Sequence, residues 1–334
     1  MQVKAARMGV SFSEDGYAMQ PGYAARLNSF GSGQSVVQLV AAAGEVGGID
    51  AADLNYPDHF EGLEPGDLVS VLNDHGMVLN GLAMRYYGNR GFAIGALANP
   101  DAKCRREAID LTKRGIDALG EMGGRLMTIW PGQDGVDYSF QGVHRRMWDD
   151  CVAALGEIAD HNPDIEVAVE YKPAEPRAYA LLPDAATTLL AIREAGRPNL
   201  GVTLDMAHSL MANEMPATSA HLISRYSRLL GVHLNDARGS RDDGLMVGTV
   251  HPILTLELFV ELTRSGYEGV IYFDTFPDHS GLDPVEEART NIRLTERLRR
   301  IAEGLVHDEK LADAMARQDA AASQRLIAAA LYGA

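Results

Sequence analysis

The sequence predicts an α/β protein built as a (β/α)8, or TIM, barrel with a C-terminal helical extension. Short apolar runs rich in β-branched residues recur eight times along the 334 residues, and a segment with helical spacing follows each of them. Glycines that precede several runs, among them Gly76, Gly201 and Gly231, fit tight returns from helix to strand. Eight alternating units favour a closed parallel barrel over an open sheet.

The elements follow one another in regular order. Several helices begin with a capping residue, such as Asp184 before an alanine- and leucine-rich run and Asp283 before Pro284. The predicted strands are 7–13, 49–56, 77–84, 125–130, 166–171, 200–205, 230–235 and 270–275. The predicted helices are 35–44, 67–75, 101–123, 143–161, 183–194, 217–228, 254–265 and 284–302.

The chain is predicted to divide into a barrel, residues 1–303, and a helical tail, residues 304–334. The tail carries apolar residues at Leu311, Leu326 and Leu331, but so short a segment buries little surface by itself. It is therefore expected to contact a neighbouring subunit of a homo-oligomer, a dimer or tetramer. Packing against its own barrel is the open alternative.

Composition narrows the class of protein. A formal net charge of −16 disfavours nucleic acid and anionic membranes as partners. No apolar run is long enough to span a bilayer, and the first residues lack the features of a secretory signal, so a cytoplasmic protein is expected. Cys104 and Cys151 lie far apart and provide neither a disulfide framework nor a cysteine-rich zinc site. No glycine-rich dinucleotide fingerprint follows the first predicted strand.

Polar residues collect at the ends of four consecutive strands. In a barrel of this kind the loops at the carboxyl ends of the strands surround the site of chemistry. Three carboxylates and one imidazole would surround one point there, a set of hard donors that suits Mn²⁺, Mg²⁺ or Co²⁺. The predicted metal ligands are Glu170, Asp205, His233 and Asp274.

Lys172 is expected beside this metal. Strand residues two apart point to the same side, so Lys172 shares the orientation of Glu170. A buried ammonium group needs a polar partner, and a polarised substrate oxygen would serve.

Other strand ends offer candidates for substrate recognition. An indole offers a flat apolar face, and amide and carboxylate groups can bind hydroxyls. The predicted substrate-binding residues are Asn55, Arg85, Trp130, Gln133 and Asp134.

These residues together resemble a known superfamily. The motifs are Glu170-x-Lys172-Pro173, Asp205-x-x-His208, His233-x-Asn235-Asp236, the pair Asp242-Asp243, and Asp274. Their order over most of residues 7–300 is similar to the xylose-isomerase-like superfamily, and most similar to aldose–ketose isomerases of the L-rhamnose isomerase type.

The resemblance implies a second, looser metal position. Asp205 would bridge to it, and His208 with one or both of Asp242 and Asp243 would complete it. The family's usual acid-x-acid spacing is replaced here by adjacent acids, so one ligand of this second position is in doubt.

The resemblance also implies a reaction, the metal-dependent interconversion of an aldose and a ketose by hydride shift. The implied catalytic residues are Lys172, which stabilises charge at O1, Asp242 or Asp243, which moves the hydroxyl proton, and His208. Arg238 and Arg241 lie among carboxylates rather than in a phosphate-binding nest, so a neutral monosaccharide is expected.

Three alternatives stay open. The first is a one-metal ketose 3-epimerase or inosose-type enzyme that works by proton transfer, although Asp274 is short for its second acid and Lys172 has no place in it. The second is a metal-dependent lyase that cleaves carbon-linked glycosides with a small partner subunit. The third is a non-catalytic sugar-binding protein.

Overall fold

Eight parallel strands form the inner wall of the molecule. The structure, a computed structural model, describes residues 22–31 and 33–333. The strands are β1 Tyr23–Ala25, β2 Ala51–Tyr56, β3 Val78–Met84, β4 Leu126–Ile129, β5 Glu166–Glu170, β6 Leu200–Asp205, β7 Leu229–Leu234 and β8 Ile271–Phe273. They lie in the order β1-β8-β7-β6-β5-β4-β3-β2, and Asp50 N donates to Tyr23 O at 2.8 Å where the two ends meet. The predicted (β/α)8 barrel is confirmed.

Helices surround this wall. The main ones are α1 Val36–Gly44, α2 Pro65–Asp74, α3 Ala102–Glu121, α4 His144–His161, α5 Ala185–Ala195, α6 Pro216–Tyr226, α7 Pro252–Ser265 and α8 Pro284–Val306. The predicted caps form: Asp184 accepts a hydrogen bond from Thr187 N at 2.6 Å, and Asp283 accepts one from Val285 N at 2.9 Å. The described residues contain no helix that is long and apolar enough to cross a membrane.

The first strand differs from the predicted set. The predicted strand 7–13 lies outside the described residues, and β1, only three residues long, was not predicted. The other seven strands fall within one or two residues of the predicted bounds.

Strand β5 shows how the sequence separates core from site. Val167, Val169 and Tyr171 are fully buried in the layer between strands and helices. Their neighbours Glu170 and Lys172 point to the other side, toward the barrel axis, because side chains alternate along a strand. The Tyr171 hydroxyl donates to Glu214 Oε2 at 2.7 Å, which satisfies its polar end inside the helical layer.

The tail forms two helices, α9 Glu309–Ala316 and α10 Ala320–Tyr332. Leu311 and Leu331 are buried in the main hydrophobic core, and Arg297 of α8 donates to Leu331 O at 3.3 Å. The tail therefore packs against its own barrel. Its role in oligomerisation stays a prediction.

Removing a tail side chain tests this packing. Leu311 is 4% exposed, so Leu311→Ala should lower the free energy of unfolding by about 2–4 kcal/mol through lost burial and a residual cavity. Met315→Ala is the control on the same helix, because Met315 is 43% exposed, and it should cost less than about 0.5 kcal/mol. Urea unfolding measures both. Equal effects would show that the tail does not pack in this way.

Candidate active site

Four side chains meet at the carboxyl end of the barrel. Glu170 ends β5, Asp205 ends β6, His233 lies in β7 and Asp274 follows β8. Each offers one ligand atom, and these atoms all lie within 4.8 Å of one another. We call these four residues the ligand cluster; they are the four metal ligands predicted from the strand ends.

Strand register brings the cluster together. Asp205 is the register partner of His233, and His233 is the partner of Tyr272, two residues before Asp274. The period of two along each strand then points these side chains to the inside of the barrel. Asp205 also caps a short helix by accepting from His208 N at 2.9 Å, which places His208 next to the cluster.

Asn235 supports the cluster, although no role was assigned to it from the sequence. Its Oδ1 accepts from Ala207 N at 2.8 Å, and its Nδ2 lies 3.2 Å from both Asp205 Oδ2 and the Asp274 carbonyl oxygen. Its position two residues after His233, on the same side of the chain, is the signal that could have identified it.

The carboxylates of the cluster are held under electrostatic strain. Burial raises the pKa of Asp205 to about 7, and the nearby carboxylates of Asp242, Asp274 and Glu170 contribute in the same direction. Burial also raises the pKa of Asp274. For Glu170 burial acts in that direction too, but His233 and His208 outweigh it and lower the pKa to about 2.

In the two histidines of the site, the neighbouring carboxylates favour the charged form. Burial disfavours their charged forms, but Glu170 beside His233 raises the pKa of that imidazole to about 9. Asp205 and Asp242 raise the pKa of His208 to about 9 in the same way. The negative charge of the cluster is thus compensated by imidazolium protons, a task that a divalent cation would also perform.

The residues present fit such a cation. Carboxylate oxygens are the usual protein ligands of Mn²⁺ and Mg²⁺, and zinc is bound by imidazole nitrogen together with carboxylate oxygen. Two buried atoms beside the cluster, His208 Nδ1 and Asp242 Oδ1, have no hydrogen-bond partner among the described residues. His208 Nδ1 is 3.6 Å from Glu170 Oε1 and 3.8 Å from Asp205 Oδ1, so it faces the cluster.

Lys172, Asp242 and His208 form a row of charged groups beside the ligand cluster. Lys172 Nζ is 2.9 Å from Asp242 Oδ2, which in turn is 3.2 Å from His208 Nε2. Glu175 Oε2 lies 3.1 Å from the same ammonium group, and the Trp130 ring centre lies 5.5 Å from it. Burial disfavours the charge on Lys172, but Asp242 and Glu175 outweigh it and raise the pKa of the ammonium group.

Two predicted site residues have their oxygens engaged elsewhere. Asp134 accepts hydrogen bonds from three successive backbone amides, Ala96 to Ala98, at 2.7–3.1 Å, so its carboxylate holds the loop after β3. Asp243 accepts from Arg238 N at 2.8 Å and from Arg241 Nε at 2.6 Å within its own loop. Of the adjacent acids, Asp242 is the one that contacts Lys172 and His208.

The remaining predicted substrate residues lie at or after the ends of β2, β3 and β4. Gln133 is buried, and its Oε1 has no hydrogen-bond partner in the described part of the chain. Arg85 Nε donates to Asn55 Oδ1 at 2.8 Å. His59, which was not predicted, lies beside this pair, with Nδ1 3.1 Å from Asn55 N.

The family model described as the xylose isomerase-like TIM barrel matches residues 37–298. The chain belongs to this family. It is similar to the xylose isomerase of Thermus thermophilus, with 29% identity over 212 residues that cover 61% of this chain and 54% of the relative. A probable sugar isomerase of Rhizobium meliloti is 27% identical over 66% of this chain and 51% of its own length. The chain thus spans about half the length of the curated relatives it matches.

Solved structures share the fold. An L-ribulose 3-epimerase superposes with a TM-score of 0.69 at 17% identity, covering 87% of this chain and 99% of that one. The IolI protein with a bound zinc atom superposes with a TM-score of 0.64 at 17% identity, covering 84% of this chain and 98% of its own. At this identity the likeness shows the barrel architecture alone.

Metal loading tests the ligand cluster. At about 100 times its Kd, Mn²⁺ should raise the free energy of unfolding by about 2.7 kcal/mol, because it binds only the folded chain. Asp205→Asn should abolish this gain without unfolding the metal-free protein, since it removes a carboxylate that is buried among like charges. Asp243→Asn is the matched control and should keep the gain. Loss of the gain in both variants, or in neither, would contradict the assignment.

The affinity for metal should depend on pH. Near pH 7 the raised pKa of His233, about 9, keeps its imidazole protonated in the metal-free protein, and a metal ion must displace that proton. Affinity should therefore rise by about tenfold per pH unit for each displaced proton and level off above pH 9. Calorimetric titration with Mn²⁺ measures this. An affinity that falls with pH would be inconsistent with this electrostatic arrangement.

Proposed function

We propose that this protein interconverts an aldose and a ketose, acting on an unphosphorylated, neutral monosaccharide with a divalent metal, Mn²⁺ in preference to Mg²⁺ or Co²⁺. Membership of the xylose isomerase-like family and similarity to relatives named as sugar isomerases support the class of enzyme. The ligand cluster supports the requirement for metal.

The observation that carries the choice of reaction is the buried position of Lys172. Its ammonium group lies against Asp242, beside His208 and the ligand cluster, and is almost fully enclosed. A buried charge needs a partner, and Asp242 supplies one here. The same ammonium group can also stabilise a negative charge that develops on a substrate oxygen. A reaction that develops charge on a carbonyl oxygen makes use of this arrangement.

The residues divide the chemistry among them. Glu170, Asp205, His233 and Asp274 would hold the metal, which when bound polarises adjacent oxygens of the open-chain sugar. In the aldose-to-ketose direction the hydrogen on C2 moves to C1 with its electron pair. The O2 proton is removed and O1 gains one, so the atoms balance. Lys172 donates a hydrogen bond to O1, and Asp242 carries the proton between the two oxygens.

Isotope labelling tests the reaction directly. Mn²⁺-loaded protein is incubated in D₂O with unlabelled aldoses and, separately, with unlabelled ketoses, and NMR follows the C1, C2 and C3 hydrogens. A hydride shift produces ketose and leaves the transferred hydrogen as protium. Deuterium at C3 would instead indicate a ketose 3-epimerase, and silence with all sugars despite bound metal would indicate a binding protein; either result would overturn the proposal.

Lys172→Met tests the assigned role of the ammonium group. It should lower kcat by about 10²–10³-fold or more, because it removes the donor to the developing charge, while Mn²⁺ affinity stays within about threefold. Lys113→Met is the control, since Lys113 pairs with Glu157 on the outside of the barrel. Steady-state kinetics and metal titration measure both variants. Unchanged turnover in Lys172→Met would remove Lys172 from the mechanism.

A further inference from the structure

Four polar residues form a second array at the mouth of the barrel, on the side of β1 to β3. They are Asn28, Asn55, His59 and Arg85, and we call them the amide array. Arg85 Nε donates to Asn55 Oδ1 at 2.8 Å, His59 Nδ1 is 3.1 Å from Asn55 N, and His59 Nε2 is 3.0 Å from Asn28 Oδ1. Asn55 and His59 are buried.

The contacts of His59 determine which of its nitrogens carries the proton. Asn55 N is a backbone donor, so His59 Nδ1 must accept and be free of a proton. In the neutral ring Nε2 then carries the proton and donates it to Asn28 Oδ1. Burial, with the nearby charge of Arg85, lowers the pKa of His59 to about 4, which agrees with a neutral ring at physiological pH.

This tautomer leaves the Asn55 side chain with an unused donor. Asn55 Oδ1 accepts the hydrogen bond from Arg85, so Asn55 Nδ2 is the atom that faces His59 Nε2, at 3.3 Å. Two donors cannot bond to each other, because neither has a lone pair to offer. The Asn55 amide hydrogens are therefore available to a hydrogen-bond acceptor of a ligand at the mouth of the barrel.

Arg85 also has unused donors. Its only hydrogen bond within the described residues goes from Nε to Asn55, and it forms no ion pair with any of them. Its guanidinium carbon lies 5.6 Å from the centre of the Tyr87 ring. The amide array thus presents hydrogen-bond donors from Asn55 and Arg85. Such donors can bond to an oxygen of a bound molecule but not to a methyl group.

The array lies across the mouth from the metal ligands. Asn55 and Arg85 stand at the ends of β2 and β3, and the ligand cluster stands at the ends of β5 to β8. A sugar bound across the mouth with C1 and C2 beside Lys172 would have its other end at β2 and β3. In this arrangement the amide array would contact the terminal carbon of the substrate and the group bonded to it.

We propose that Asn55 and Arg85 bind an oxygen on the end of the sugar remote from Lys172, so that the substrate carries a terminal hydroxyl in preference to a methyl group. His59 is the positioning residue: it holds the Asn55 backbone and keeps the amide hydrogens free. The proposal rests on the proposed function and adds the chemistry of the substrate's far end. A site built to bond a hydroxyl rejects the analogue without it strongly, because its donors would stay buried and unpaired.

Matched pairs of sugars test this in the native chain. Each aldohexose is compared with its 6-deoxy counterpart, as in L-mannose with L-rhamnose, D-galactose with D-fucose, and D-glucose with 6-deoxy-D-glucose. For the pair converted fastest, kcat/KM should favour the hydroxylated sugar by about 10²-fold or more. A ratio within about threefold, or one that favours the deoxy sugar, would overturn the proposal.

Variants assign the preference to the array. Arg85→Gln should reduce the ratio at least tenfold by raising KM for the hydroxylated sugar, with Mn²⁺ affinity unchanged. His59→Leu should do the same by letting the Asn55 amide rotate. Arg90→Gln is the control, because Arg90 is exposed on the same loop. A preference that persists in Arg85→Gln would overturn the proposal even if His59→Leu fails to fold.

Binding separates this proposal from the proposed function. Hexitols and 6-deoxyhexitols, made by reducing the same sugars, cannot isomerise, and their affinity for Mn²⁺-loaded protein is measured by calorimetry. Tighter binding of the hexitol without isomerisation of any sugar would support the amide array and contradict the isomerase. Isomerisation of both sugars at equal rates, with equal binding of both polyols, would support the isomerase and overturn the role of the array.

Discussion

The carboxylates of Glu170, Asp205, Asp242 and Asp274 share the carboxyl end of one barrel, largely withdrawn from water, and their mutual repulsion must be compensated. In the metal-free chain protons on His208 and His233 supply that compensation, which is why the pKa of both rises to about 9. A divalent ion would replace those protons and bring the charges into balance. Lys172 compensates Asp242 in the same way, and this pairing connects the ligand cluster to the place where the proposed function puts a substrate oxygen.

The barrel can hold this many charges because the two sides of each strand face different surroundings. On β5, Val167, Val169 and Tyr171 pack into the layer under the helices, while Glu170 and Lys172 point inward. Stability therefore comes from the outer layer, and the inner surface at the strand ends is available for chemistry. The amide array on the opposite strands has a complementary character, since it offers donors where the ligand cluster offers acceptors.

Much of this was readable in the sequence, for physical reasons. Period-two alternation and strand parity identified seven strands, the four residues of the ligand cluster and Lys172. The strand Tyr23–Ala25 is too short for a pattern to show. The predicted roles of Asp134 and Asp243 stay predictions, but their oxygens accept hydrogen bonds from backbone amides and, for Asp243, from Arg241. These contacts depend on the path of each loop, which the sequence pattern does not show. His59 escaped notice because its partner Asn28 is 31 residues away in the chain.

The assignment of the ligand cluster and of Lys172 is tested most directly by a crystal structure of the Mn²⁺-loaded chain with a bound polyol, with the metal located by its anomalous scattering. We predict one strong peak bonded to Glu170, Asp205, His233 and Asp274 at roughly 2.0–2.4 Å, with a polyol oxygen within hydrogen-bonding distance of Lys172 Nζ. A metal bound away from these four residues, or a polyol whose oxygens all lie beyond the reach of Lys172, would contradict it.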